Sequence, residues 1–97
     1  MTGSAGPKVG QFVAAELAMR HTLTGMDVQA SPLTTHLADI TSVTDWPLYL
    51  DGFDAVVHFA ALHAPHRETH SRAQFMATNV DATARLVAAA RAAGVKR

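Results

Sequence analysis

The chain begins MTGSAGPKVGQ (residues 1–11), with Gly3, Gly6 and Gly10 spaced three and then four positions apart. Glycines in a loop that opens a helix let the backbone come close to a phosphate. The helix start adds free N–H donors and the positive end of its dipole. A loop of this kind ordinarily follows a buried strand, and only Met1 and Thr2 precede Gly3. The residues downstream decide whether the glycines form a dinucleotide loop or a loose terminus.

From Gly10 to His21 the pattern is helical. Val13, Leu17 and Arg20 recur at helical spacing, with Ala14, Ala15 and Ala18 between them. Pro7 is suited to the first helical position, where its missing donor costs nothing. TLTGMDV (22–28) is short, β-branched and apolar, and reads as a strand ending near Asp27. A carboxylate about 20 residues beyond a glycine loop is placed to accept the ribose hydroxyls of an adenosine. It also repels a 2′-phosphate, and Val28, Gln29 and Ala30 bring no arginine to receive one, so NAD is favoured over NADP.

Farther on, HLADI (36–40) is a second short strand. TSVTDWPLYLDGF is a turn and a short helix, with Thr44 or Asp45 as its cap and Pro47 in its first turn. FDAVVHFAA (53–61) is the strongest strand, apolar almost throughout and therefore expected to be buried on both faces. LHAPHRETH follows as a loop. A long helix is then expected from Ser71 to Ala93, with Met76, Val80, Thr83, Val87 and Ala90 in one stripe and Phe75 and Leu86 beside it. Gly94 stands where a C-cap belongs. Strands alternating with helices imply a parallel sheet covered on both faces.

Composition narrows the classes. The 97 residues allow one small domain, and 48% of them are hydrophobic, which fits a globular chain. The formal net charge is zero, giving no support to nucleic-acid or membrane-surface binding. Charge is unevenly spread: residues 27–54 hold five aspartates and no Lys or Arg, and residues 66–97 hold six Lys/Arg against Glu68 and Asp81. There are no cysteines, so disulfides, thiolate metal sites and a Cys nucleophile are excluded. No stretch approaches the roughly 18 consecutive apolar residues of a membrane span, and no basic-then-apolar leader is present. The expectation is a cytoplasmic protein with no membrane partner.

TGSAG, ADIT, FDAVVHFAALHAP and TNVDATARLVAAARAAGVKR follow one another at characteristic intervals. Together, and over essentially the whole chain, they resemble the N-terminal half of an extended short-chain dehydrogenase/reductase of the NAD-dependent epimerase/dehydratase family. The resemblance implies an α/β fold, a partial Rossmann-like doubly wound parallel sheet. Residues 1–97 would form an incomplete NAD-binding Rossmann domain, with the first strand largely missing and no C-terminal substrate domain. It implies NAD as cofactor, with Gly3, Gly6, Lys8, Val9 and Gly10 at the pyrophosphate, Asp27 at the ribose, and Asp39 and Ile40 beside the adenine. Phe59, Ala60, Ala61 and Leu62 would pass under the nicotinamide-side ribose. Asn79 matches the helix asparagine that lies close to the cofactor. The intact relative would be an oxidoreductase, often acting on a nucleotide-sugar as its small-molecule substrate. The alternatives are a non-catalytic dinucleotide-binding module and a ligand-free remnant.

Two departures qualify the resemblance. The family loop spaces its glycines three and three. The extra residue here turns a helical position by about 100°, so either the loop absorbs it near Pro7 or Gly10 no longer faces the strand. The family's Tyr-x3-Lys pair is also lacking: the one tyrosine is Tyr49, and four residues on is Phe53. No catalytic residue is therefore assigned. His63, His66 and His70 form H-x2-H-x3-H, and no metal role is assigned to them either. With only Met1-Thr2 for a first strand, strands 22–28 and 53–61 would lack the partner between them. The expectation is a fragment clipped from a longer reading frame, able to complete its sheet by self-association or with another chain.

Overall fold

The computed structural model describes residues 1–97, which divide into two compact units. The first comprises Met1–Asp39 with Val57–Ala60, and the second Ile40–Val56 with Ala61–Arg97.

In the first unit, β1 (Met26–Asp27) and β2 (His36–Leu37) pair in parallel, Met26 opposite His36 and Asp27 opposite Leu37. Thr2 bridges in parallel to Met26 on one side and to His58 on the other. The backbone bonds are regular: Thr2 N–H to Val57 O (2.9 Å), Phe59 N–H to Thr2 O (3.0 Å), Gly3 N–H to Met26 O (2.9 Å) and Met26 N–H to Met1 O (2.8 Å). Met1–Gly3 therefore occupies the position between the two neighbouring segments, where the sequence predicts a missing partner.

The expected strands are much shorter than their patterns. Residues 22–28 and 36–40 keep two strand residues each, and 53–61 keeps a single bridge at His58. A ladder can be no longer than the chain opposite it. In the parallel register Thr2 stands opposite Met26 and His58, so only Met1 lies opposite the residues that precede them, and past Gly3, whose φ is +73°, the central segment turns away.

Helix α1 (Gly10–Ala18) is built from strong helix formers and buries Gly10 and Ala14. It begins three residues later than Pro7, because Pro7, Lys8 and Val9 form an exposed turn ahead of it. The extra residue between the second and third glycines is taken up there. An exposed Arg20–Glu16 pair at 3.7 Å adds little on the helix surface. The unit's interior holds Ala14 and Met26 with the polar Thr2 and Ser4.

The second unit contains α2 (Pro47–Leu50), α3 (Arg72–Met76) and α4 (Thr83–Ala92). Pro47 is the first residue of α2 as expected, but the cap is Trp46 rather than Thr44 or Asp45, and no side chain caps it. Ser71 begins α3 with a reciprocal box: Gln74 N–H donates to Ser71 Oγ (3.2 Å), and Ser71 N–H donates to Gln74 Oε1 (2.7 Å). Gly94 follows α4 with φ +76°, and Val95 N–H returns to Ala90 O at 3.0 Å.

The long helix expected over 71–93 is interrupted. Ala77–Ala82 form a π-helical segment between α3 and α4. A π-turn admits one more residue than an α-turn, which rotates the downstream face. The buried residues are accordingly Ala82 and Leu86, packed in a core with Ile40, Val43, Trp46 and Leu50. Met76, Val80 and Val87 of the expected buried stripe remain 46%, 48% and 46% exposed. Near the end of the chain, Lys96 N–H donates to Asp54 O (3.1 Å) and Val56 N–H to Arg97 O (2.8 Å). No helix is long and apolar enough to cross a membrane.

Candidate functional site

The three glycines meet three different steric demands. Gly3 needs its positive φ, and a Cβ there would stand 2.7 Å from the backbone of both Phe59 and Ala60. A Cβ on Gly10 would overlap the carbonyl oxygen of Gly3, so this glycine lets α1 sit against the loop. A Cβ on Gly6 would meet nothing nearer than 3.5 Å. Nothing in the fold itself requires glycine at position 6.

The loop's donors are divided. Gly3, Ala5, Gly6 and Gln11 spend their N–H groups within the protein, on Met26 O, Asp27 Oδ2, Gly3 O and Gly6 O. Helix α1 has Val9 at its N-cap with no side-chain cap and no acid in its first turn. Of its leading N–H groups, Gln11 donates to Gly6 O and Val13 to Val9 O, while no acidic side chain offsets the positive end of the dipole. Lys8 and Val9 lie exposed in the turn just before it. A helix start of this kind, with Lys8 before it and the open position at Gly6, is chemically able to hold an anion such as a pyrophosphate.

Asp27 ends β1 and holds two loops at once. Its Oδ2 accepts from Ala5 N–H and its Oδ1 from Gln29 N–H, each at 2.9 Å. Each oxygen retains a lone pair for a hydroxyl donor. Beside it runs a chain of hydroxyls: Ser4 Oγ is 3.3 Å from Thr34 Oγ1, which is 2.8 Å from Ser31 Oγ and donates to Gln29 O at 3.0 Å. Ser4 is fully buried.

On the other side of the glycine loop, Phe59 is 42% exposed, with its backbone held by Thr2. Ala60 N–H donates to Thr2 Oγ1 (3.3 Å), and the same hydroxyl lies 2.5 Å from His58 Nδ1. With the Ala60 N–H as donor, the hydroxyl proton is free to go to the imidazole. Burial lowers the His58 pKa below its ordinary value and favours the neutral ring that accepts it. Thr2 and Ser4 were not singled out from the sequence, and their position on either side of Gly3 was the available signal.

Of the residues singled out from the sequence, the first unit holds Gly3, Gly6, Lys8, Val9, Gly10, Asp27, Asp39, Phe59 and Ala60; the second holds Ile40, Ala61, Leu62 and Asn79. Asp39 is exposed, while the Ile40 side chain is buried in the second unit's core. Asn79 sits in the π-helical segment and faces Leu62. Its Oδ1 accepts from Leu62 N–H (2.8 Å) and its Nδ2 donates to Leu62 O (2.7 Å). Both halves of the amide are engaged with one residue's backbone, a cyclic pair that fixes where the chain runs after Ala61.

His63, His66 and His70 form a row of rings, with centroids 4.6 Å and 5.5 Å apart and near-perpendicular planes. No group of three His, Cys, Asp or Glu side chains is arranged to hold a metal ion.

Comparison with known proteins places these features in context. The family model described as "NAD dependent epimerase/dehydratase family" matches residues 1–97. A crystal structure of a short-chain dehydrogenase/reductase superfamily protein from Agrobacterium tumefaciens, with bound NAD, superposes with a TM-score of 0.82 at 33% sequence identity. The match covers 99% of this chain and 29% of that one, so the chain spans less than a third of that protein's length. No curated protein sequence matches the chain.

Proposed function

The chain belongs to the NAD dependent epimerase/dehydratase family, and from that premise we propose that it is the NAD-binding part of an oxidoreductase. The observation that carries this reading is the division of labour among the glycines. Gly3 and Gly10 are required by the fold, while Gly6 is open and precedes a helix start with no side-chain cap and no acid in its first turn. That is the distribution a pyrophosphate needs. The similar Agrobacterium protein carries NAD, which supports the same ligand here.

In this reading the start of α1, with Lys8 and Val9 before it, faces the pyrophosphate, and Asp27 accepts the adenosine ribose hydroxyls with its remaining lone pairs. Asp39 and the backbone of Ile40 border the adenine. Phe59, Ala60, Ala61 and Leu62 line the path toward the nicotinamide, and Asn79 acts as a positioning residue through Leu62. When bound, NAD supplies a hydride acceptor. The chain's own residues bind and orient it; none is assigned as acid or base, since Tyr49 is followed four residues on by Phe53. The substrate of the whole oxidoreductase is proposed to be a nucleotide-sugar, on family resemblance alone.

Calorimetric titration with NAD and NADP tests the reading. Binding of NAD in preference to NADP is expected, because the Asp27 carboxylate repels a 2′-phosphate. Absence of NAD binding would overturn it.

A further inference from the structure

We propose that the loop from Leu62 to Ser71, together with Arg72 at the start of α3, is an anion-binding segment, which receives a carboxylate or phosphate group of the substrate. The word "substrate" rests on the oxidoreductase reading above; the anion site itself rests on the loop.

Val57–Ala60 run parallel to Thr2, and the chain leaves the C-terminal end of that parallel segment directly into the loop. Open α/β sheets bind their ligands outside the carboxyl ends of their strands. The amide of Asn79, bonded through both its ends to Leu62, fixes the loop's first residue. This loop therefore starts from a set position.

The loop is also basic. Residues 63–72 carry three histidines and two arginines, Arg67 and Arg72, against the single acid Glu68. Arg67, Arg72 and Glu68 enter no ion pair in the structure. The arginines' donors are thus uncommitted, and a guanidinium matches the two oxygens of a carboxylate or phosphate.

The hydrogen bonding of His66 separates an anion from a metal. His63 N–H donates to His66 Nδ1 at 3.0 Å. A backbone N–H can only donate, so His66 Nδ1 is an acceptor and the ring's proton resides on Nε2. That nitrogen is a hydrogen-bond donor, which suits an anion. A metal requires a lone pair at the same place. The His63 and His70 rings stand next to the His66 ring, at 4.6 Å and 5.5 Å between centroids.

The test follows the imidazole resonances of the whole chain at fixed pH and ionic strength, during titration with gluconate, glucose 1-phosphate and glucose. Either anion is expected to shift His63, His66 and His70 to saturation, with dissociation constants on the order of 1 mM, while His21, His36 and His58 stay in place. Which anion does so identifies carboxylate or phosphate as the group bound. Glucose is expected to shift none. The double substitution Arg67→Gln/Arg72→Gln lies on an exposed surface and is expected to weaken the anion by about fivefold. No saturable shift, equal shifts at all six histidines, equal shifts with glucose, or an unchanged affinity in the double variant would overturn the proposal. NAD, read separately at the Ala5 and Gly6 amides, tests the dinucleotide reading alone. A chain that bound NAD and ignored both anions would lose the loop proposal only; one that bound anions and not NAD would lose only the oxidoreductase reading.

Discussion

Asn79 and Leu62 are joined by a two-bond ring, amide to backbone, at 2.8 Å and 2.7 Å. The ring forms where the helix is π-wound, and π-turns commonly mark positions where a side chain has been re-aimed for use. Breaking it leaves the Leu62 N–H and C=O without their partner. Asn79→Ala is expected to cost about 1–3 kcal/mol, since two partly buried groups lose their bonds. The Leu62 amide should also lose its protection from hydrogen exchange. Asn79→Asp keeps an acceptor for the N–H but sets a carboxylate against the Leu62 carbonyl, so it should rescue little. Unchanged Leu62 protection in Asn79→Ala would contradict the positioning role.

The glycines separate folding from binding. Gly10→Ala forces a methyl onto the Gly3 carbonyl, and Gly3→Ala adds positive-φ strain to a contact with Phe59 and Ala60. Both are expected to lower thermal stability, by about 1–3 kcal/mol for strain of this kind. Gly6→Ala meets only ordinary contacts. It should melt like the parent chain, or slightly higher through a stiffer unfolded state, while losing NAD affinity. Thermal melts with parallel calorimetry distinguish the three.

Asp27 is acceptor to two backbone donors. Asp27→Asn offers one oxygen and turns its NH2 toward a second N–H, so one bond becomes a donor–donor clash. NAD binding should weaken by at least tenfold, the equivalent of about 1.4 kcal/mol, and both the Ala5 and Gln29 amides should exchange faster. An affinity equal to the parent's would remove Asp27 from the adenosine site.

His58 gives the fold a pH dependence of fixed sign. Its pKa is lowered in the folded chain by burial, so the unfolded chain binds protons more readily. Between the folded value and the ordinary histidine value of about 6.5, stability therefore falls as pH falls. The contribution is complete above about pH 6.5 and is lost on acidification. His58→Asn, which retains a hydrogen-bonding group without titrating there, should flatten that part of the curve. Denaturant melts between neutral and mildly acidic pH measure it; a His58→Asn curve parallel to the parent's would contradict the assignment.

Much of this was legible in the residues. The glycine loop, α1, Asp27 at a strand end, Pro47 opening a helix and Gly94 closing one all arise from local rules, and local rules are what a sequence displays. The short strands were not legible, because strand length is set by the partner. FDAVVHFAA has the composition of a full strand, but its long-range backbone bonds go only to Thr2 and to Lys96 and Arg97. The π-turn at Ala77–Ala82 was equally hidden. Its residues are compatible with an α-helix, and the amide ring to Leu62 is a tertiary interaction that periodicity cannot register. Missing the π-turn misplaced the buried face, which runs through Ala82 and Leu86 instead of Met76, Val80 and Val87. Thr2 was read as a remnant of a strand, although its hydroxyl and backbone together hold Val57, His58, Phe59 and Ala60.

The most direct test of the central claim is a calorimetric titration of the chain and its Gly6→Ala variant with NAD, with thermal melts of both. The parent chain is expected to bind NAD, and the variant to lose that binding while its melting temperature stays at or above the parent's. A parent chain that does not bind NAD, or a variant that binds it equally well, would contradict the assignment of this loop to a dinucleotide.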